Sequence, residues 1–205
     1  MARPKSASHE LKREAILDVC AQCFARQGYV AASMNDIATA CGTSKARLYH
    51  YYDSKEAMLF DLLDRYTQRL LVIVAETDAR AQRKGLNDRE ALHDLVRAFL
   101  QEYERSATRH MALLNDAKHL GQEQRELILN RQRDVVSAFT RFLKRAYPER
   151  VTAGHETPVT MMVFGMMNWT FTWLRSDGPM SYLGFAEEVI AMIERGLSSA
   201  QNLSA

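Results

Sequence analysis

A chain of 205 residues with 47% hydrophobic and 25% charged residues is long enough for one domain, or for a small domain joined to a larger one, and its composition excludes a fibre or a disordered chain. The formal net charge of +2 is small, but the whole excess sits in the first 60 residues, where eight Lys/Arg stand against six Asp/Glu; the remainder holds nineteen of each. Residues 1–15, MARPKSASHELKREA, contain no apolar stretch, so no signal peptide is expected, and the three cysteines are expected as reduced thiols in a cytoplasmic protein.

Apolar spacing predicts helix almost throughout. Arg3 and Lys5 lie in a flexible basic arm that reads equally as a polyanion contact or a solvated tail. A first amphipathic helix runs from Leu11 to about Gln27 and ends at Gly28. Cys20 and Cys23 fall on its apolar face with Ile16 and Phe24, which reads as core rather than as redox or zinc chemistry. Ser33-Met34-Asn35-Asp36 has the form of a capping box, followed by Met34, Ile37, Ala38 and Cys41 as one buried stripe. Gly42 breaks that helix, and Thr43 or Ser44 caps another that reaches about Tyr51. Asp53-Ser54-Lys55-Glu56 reads as a further capping box opening a long helix towards Gly85. Later helices are expected at 90–106, 108–118 and 122–147, then from Thr157-Pro158 to about Leu174, and finally over 181–197. The apolar run MMVFGMMNWTFTWL spans only 14 residues, too few for a membrane crossing of about 20, so no membrane partner is expected.

Two short helices around a glycine turn, with a helix on either side, are the sequence form of a helix-turn-helix. The second of them carries TSKARLYHYYDSKEA, dense in aromatic and basic groups. Leu48 and Tyr52 are expected to anchor it in the core, leaving Lys45, Arg47, Tyr49, His50 and Lys55 for a polyanion. The N-terminal part of such a helix enters the DNA major groove, where an arginine can bond guanine O6 and N7 together. Tyr49, His50 and Lys55 suit phosphate oxygens. With the hydroxyls of Ser33, Thr43 and Ser44, these are the candidate DNA-binding residues.

SMNDIATACGTSKARLYHYYDSKEAML resembles the DNA-binding signature of the TetR family of bacterial repressors. Ser33, Ile37, Ala38, Gly42, Leu48, Tyr49, Tyr52, Lys55, Glu56 and Leu59 carry the resemblance, which covers about residues 11–60. Ala46 and Arg47 stand where the family often has glycine and a small hydroxyl residue, which makes Arg47 the first candidate for base reading. The resemblance implies an all-α homodimer that binds double-stranded operator DNA. It divides the chain into an arm and three-helix DNA-binding domain (1–53) and a larger helical domain for ligand binding and dimerisation (54–205).

The final helix has two apolar stripes, Leu183, Ala186, Ile190, Ile193 and Leu197 beside Phe185, Val189, Met192 and Gly196, more than one side of a monomer needs. A four-helix bundle of 158–174 and 181–197 from each subunit follows from this and from the resemblance. NWTFTWLRSDGPMS resembles the stretch before the last helix in TetR-type regulators of fatty-acid, steroid and aromatic-acid degradation. Several of those sense acyl-CoA thioesters, so the resemblance implies a small hydrophobic effector of that class. Tyr103, Met111, Met166, Met167, Trp169, Thr170 and Trp173 are the candidate ligand-binding residues. For the CoA phosphates Arg105, Arg109, Lys118, Arg131 and Arg175 are available without a choice among them. An efflux-type hydrophobic compound, or no small ligand, stays open beside that reading. No phosphate loop, zinc-protease or nucleophile-elbow motif occurs, and His9, His50, His93, His110, His119 and His155 are scattered, so neither enzyme nor cofactor is expected.

Overall fold

The computed structural model describes residues 3–198, with side chains from residue 8 onward. Among them are nine α-helices and two 3₁₀ turns, and the chain is all-α. Packing groups it into two compact units. One compact unit takes Met1–Thr67 together with Thr108–Leu129; the other takes Gln68–Ala107 and Asn130–Ala205.

The first unit, the head, begins with α1 (Arg3–Gln27), which starts eight residues before the expected Leu11. Arg3 and Lys5 therefore lie in helix, and their side chains are outside the described residues. After Gly28, whose φ of +80° suits a residue without Cβ, come α2 (Met34–Ala40) and α3 (Lys45–Tyr49). The Ser33 capping box forms as read: Ser33 Oγ accepts from the Asp36 amide, and Asp36 accepts from the Ser33 amide. Gly42 turns the chain between the two helices at φ +62°, where an added Cβ would meet nothing, so conformation rather than space calls for glycine.

α4 (Lys55–Lys84) opens differently from the expected box. Ser54 is its cap, with Oγ accepting from the Ala57 amide, and the Glu56 carboxylate is bonded elsewhere, to the amide of Gly121. α6 (Ala107–Asp116), a 3₁₀ turn at Ala117–His119 and the first part of α7 (Gln122–Ala146) complete the head. Its core holds Leu17, Cys20, Phe24, Ile37, Leu48, Met58, Leu59, Leu62 and Leu63. Cys20 and Cys23 are buried and Cys41, the C-cap of α2, is half-buried. Burial pushes the Cys20 thiol up, as the core reading of Cys20-x-x-Cys23 requires.

The second unit contains the rest of α4, then α5 (Asp88–Arg105), the rest of α7, α8 (Glu156–Asn168), a 3₁₀ turn at Thr170–Thr172 and α9 (Tyr182–Ser198). An Asn87/Glu90 capping box starts α5. α8 starts one residue before the expected Thr157 cap, and Pro158 sits within the first turn, where the backbone N–H groups lack helical partners anyway. It ends at Asn168, six residues short of Leu174. There the chain passes into the 3₁₀ turn, and the Thr170 and Thr172 hydroxyls donate to the carbonyls three residues back, Met167 and Trp169. Phe99, Phe139 and Phe164 meet with ring centroids 5.0 to 6.1 Å apart in the core, and α9 packs on α5 and α8 with Ala186, Val189, Ile190 and Ile193 buried. Among the described residues no helix is long and apolar enough to cross a membrane.

Candidate nucleic-acid interface

Five residues make too short a helix to stand alone, so α3 depends on its ends and on one anchor. Ser44 Oγ accepts from the Arg47 amide at the start, and Leu48 is fully buried. Burying one leucine contributes about 1.5–3 kcal/mol, enough to hold a single turn. Everything else on α3 faces solvent: Lys45, Ala46, Arg47, Tyr49 and the following His50 are exposed. Thr43 is half-buried in the turn, and its amide bonds the Ala38 carbonyl.

Ion pairing separates the cations of the head into two kinds. Arg13 bonds Asp61 at 2.7 Å and Tyr52 at 3.4 Å; Arg65 bonds Asp61 at 2.8 Å and pairs with Glu10 and Glu14; Arg109 reaches Asp18 and Glu14 at 2.7 Å each. Arg47 has no side-chain partner among the described residues. Lys45 has only the ring of Tyr49, 5.9 Å away. A guanidinium left in water beside a tyrosine and a histidine is what a phosphate or base edge would meet.

Tyr52, which follows the recognition turn, is buried with its hydroxyl donating to Asp61 at 2.6 Å. Burial alone would raise Asp61, but hydrogen bonds from Tyr52 and Arg65 and the charges of Arg65 and Arg13 outweigh it and hold this carboxyl below the usual range. Burial raises the Tyr52 phenol, reinforced by its bond to the Asp61 carboxylate. The network ties α1 to α4 with the chain after α3 between them.

Ser33 and Lys55 each have hydrogen-bond partners within the head. Ser33 Oγ is occupied with Asp36, donating to its carboxylate at 2.6 Å. The Lys55 ammonium, assigned to phosphate from sequence, donates to the carbonyls of Tyr29 (2.6 Å), Val30 (3.2 Å) and Ala32 (2.7 Å), one for each of its protons. No local pattern signals that role, because the carbonyls lie 23 to 26 residues back.

The candidate ligand residues divide as well. Met111 belongs to the head and the other six to the second unit. Tyr103 is buried, its hydroxyl donating to Asn168 Oδ1 at 3.1 Å, and Met167 and Thr170 are fully buried; Met166 is half-buried. Trp169 and Trp173 instead stand 54% exposed, Trp173 edge-on to Phe185. Of the basic residues put forward for CoA phosphates, Arg109 is committed to α1 and Arg175 to Asp177. Among the described residues no three His, Cys, Asp or Glu are grouped to hold a metal.

Comparison with known proteins gives this geometry a context. A model of the tetracyclin repressor-like C-terminal domain matches residues 85–197, and one of the bacterial regulatory proteins of the tetR family matches residues 16–62. A solved TetR-family regulator from Bordetella parapertussis is 34% identical, with a TM-score of 0.81 over 94% of this chain and 97% of that one. AibR, solved in complex with isovaleryl coenzyme A and operator DNA, is 25% identical with a TM-score of 0.75, covering 88% and 97%. The transcriptional repressor KstR2 of Rhodococcus jostii is 32% identical over 53% of this chain and 52% of its own. The chain thus spans about half the length of that curated relative, and 39% of an uncharacterised Mycobacterium tuberculosis regulator that it matches at 37% identity.

Proposed function

The chain belongs to the TetR family of bacterial transcriptional regulators and is not an enzyme, and from that premise we propose that it is an effector-released repressor that binds a palindromic operator as a homodimer. The observation that carries the reading is the exposed face of α3, on which Arg47 has no side-chain partner among the described residues. Lys45 and Arg47 lie in its N-terminal part, the part that enters the major groove, with Arg47 reading a base edge and Tyr49 and His50 on phosphates. Thr43 and Ser44 border the same face.

The homodimer is supported by the outer faces of α8 and α9. Met161 and Met162 on α8, Trp169 just after it and Met192 on α9 stand about half to two-thirds exposed, with Gly165 and Gly196 open beside the methionines. Apolar surface of this kind calls for a partner, and a second copy forms the four-helix bundle that the sequence suggests. Trp169 and Trp173 serve that surface better than a ligand. The two recognition helices then stand about 34–36 Å apart, one DNA turn.

For the effector we propose an acyl-CoA thioester. AibR, with its bound isovaleryl coenzyme A, supports the class, and the buried Tyr103, Met167 and Thr170 supply an apolar setting with few polar groups for the acyl part. The mutual packing of Phe99, Phe139 and Phe164 favours one alternative, a DNA-binding factor whose core is filled and takes no small ligand. Fluorescence anisotropy on the DNA upstream of the protein's own gene, with a panel of acyl-CoA thioesters and free acids, tests both. Release by a thioester and not by its acid supports the sensor; binding untouched by the panel sinks the acyl-CoA assignment and leaves the DNA reading standing.

A further inference from the structure

Lys55 and Glu56 are neighbours at the start of α4, yet each reaches a different backbone segment. Lys55 gathers the three carbonyls of the α1–α2 connection, and its ammonium lies 4.4 Å from the centroid of the Tyr29 ring. That ring stacks on His119, with centroids 4.9 Å apart and planes 16° from parallel. Glu56 Oε1 accepts from the Gly121 amide at 2.7 Å. A Cβ at position 121 would come 3.1 Å from that oxygen, so glycine lets the loop approach this closely. Segment 117–121 thereby closes on the connection that carries Ser33, the cap of α2, although it lies far outside residues 16–62.

We propose that this clasp sets the pose of the helix-turn-helix on DNA: Lys55, Tyr29, His119 and Gly121 are positioning residues for operator binding, and Lys55 acts through the carbonyls it holds rather than through phosphate. The ammonium has three protons and three carbonyl partners, leaving no donor for DNA. Loosening the clasp leaves α3 chemically intact but spreads its orientation, so contacts that must form together no longer do. The inference rests on the operator-binding reading above.

Salt separates the two roles of a lysine. A lost phosphate contact reduces the number of counterions released and lowers the slope of log K against log salt by about 0.9 for each head. A lost positioning contact weakens binding at every salt concentration with the slope unchanged. The full-length protein is first used to select a duplex from a random-sequence pool. That duplex is then titrated from about 50 to 200 mM salt, the range over which counterion release dominates, well below each variant's unfolding midpoint.

Lys55→Met is expected to weaken binding about tenfold, the scale of one lost charged hydrogen bond, at constant slope. His119→Ala is expected to weaken it several-fold and His119→Phe, which keeps the stack, to restore it. The His119 pair leaves Lys55 itself in place, so it stands even if the Lys55 variant fails to fold. A slope lowered in Lys55→Met, or His119→Ala binding as tightly as wild type, overturns the clasp while the operator reading survives. Failure of the wild-type protein to enrich any duplex overturns both.

Discussion

Arg47 is distinguished by having no side-chain partner among the described residues. Its neighbours in the head, Arg13, Arg65 and Arg109, all hold carboxylates, so their removal damages the fold, whereas removal of Arg47 leaves folding alone. Arg47→Ala is expected to lose about 1–3 kcal/mol of operator discrimination, a 5- to 150-fold effect at the base pair it reads, with an unchanged thermal midpoint. Binding to a set of single-base operator variants measures this. Asp61 is the opposite case. Its pKa in the folded head lies below the ordinary value of about 3.9, so the unfolded chain takes up the proton first as pH falls. The stability it supplies is complete above about pH 4 and is lost as pH falls through the lowered folded value. Asp61→Asn should melt earlier than wild type at neutral pH, by about 1–3 kcal/mol, and show a shallower decline below pH 4. Parallel declines in the two proteins would remove Asp61 from the account.

At the level of elements, legibility followed the distance between partners. The cap of α2 and the turn at Gly42 involve residues within a few positions of one another, and both were readable from sequence. Ser33→Ala is expected to cost about 1 kcal/mol of head stability, seen as a lower thermal midpoint, because the Asp36 amide loses its acceptor. Glu56 was misread for the same reason in reverse. Its position suits a local capping box, but its partner is the amide of Gly121, 65 residues on. Lys55, likewise, is a basic residue beside a recognition helix until its carbonyls are known. The end of α8 was also out of reach: apolar spacing continues to Leu174, while the helix ends at Asn168 and a 3₁₀ turn follows. Nor does spacing tell an inward tryptophan from an outward one, and Trp169 and Trp173 are each 54% exposed.

For the whole molecule the prediction concerns the exposed apolar face of α8 and α9, proposed as the dimer surface. Met162 is 63% and Met192 66% exposed, and the two open glycines would let a second backbone approach closely. Met162→Glu leaves a monomer's fold untouched but buries an unpaired charge in a dimer. Self-association is expected to weaken by more than about 100-fold, read by sedimentation velocity, and operator affinity to fall with it. A dimer that persists unchanged would put the contact elsewhere.

The division of residue types between the two units gives the molecule two separate reporters of its own opening. All three cysteines, Cys20, Cys23 and Cys41, lie in the head, and both tryptophans, Trp169 and Trp173, lie in the other unit. Thiol-exchange rates at the buried pair therefore measure the free energy of opening the head alone, with half-buried Cys41 as a fast internal reference. Indole fluorescence follows the other unit. If the two signals give one free energy, the chain opens as a single cooperative body; if the thiols exchange first, the DNA-reading end yields separately.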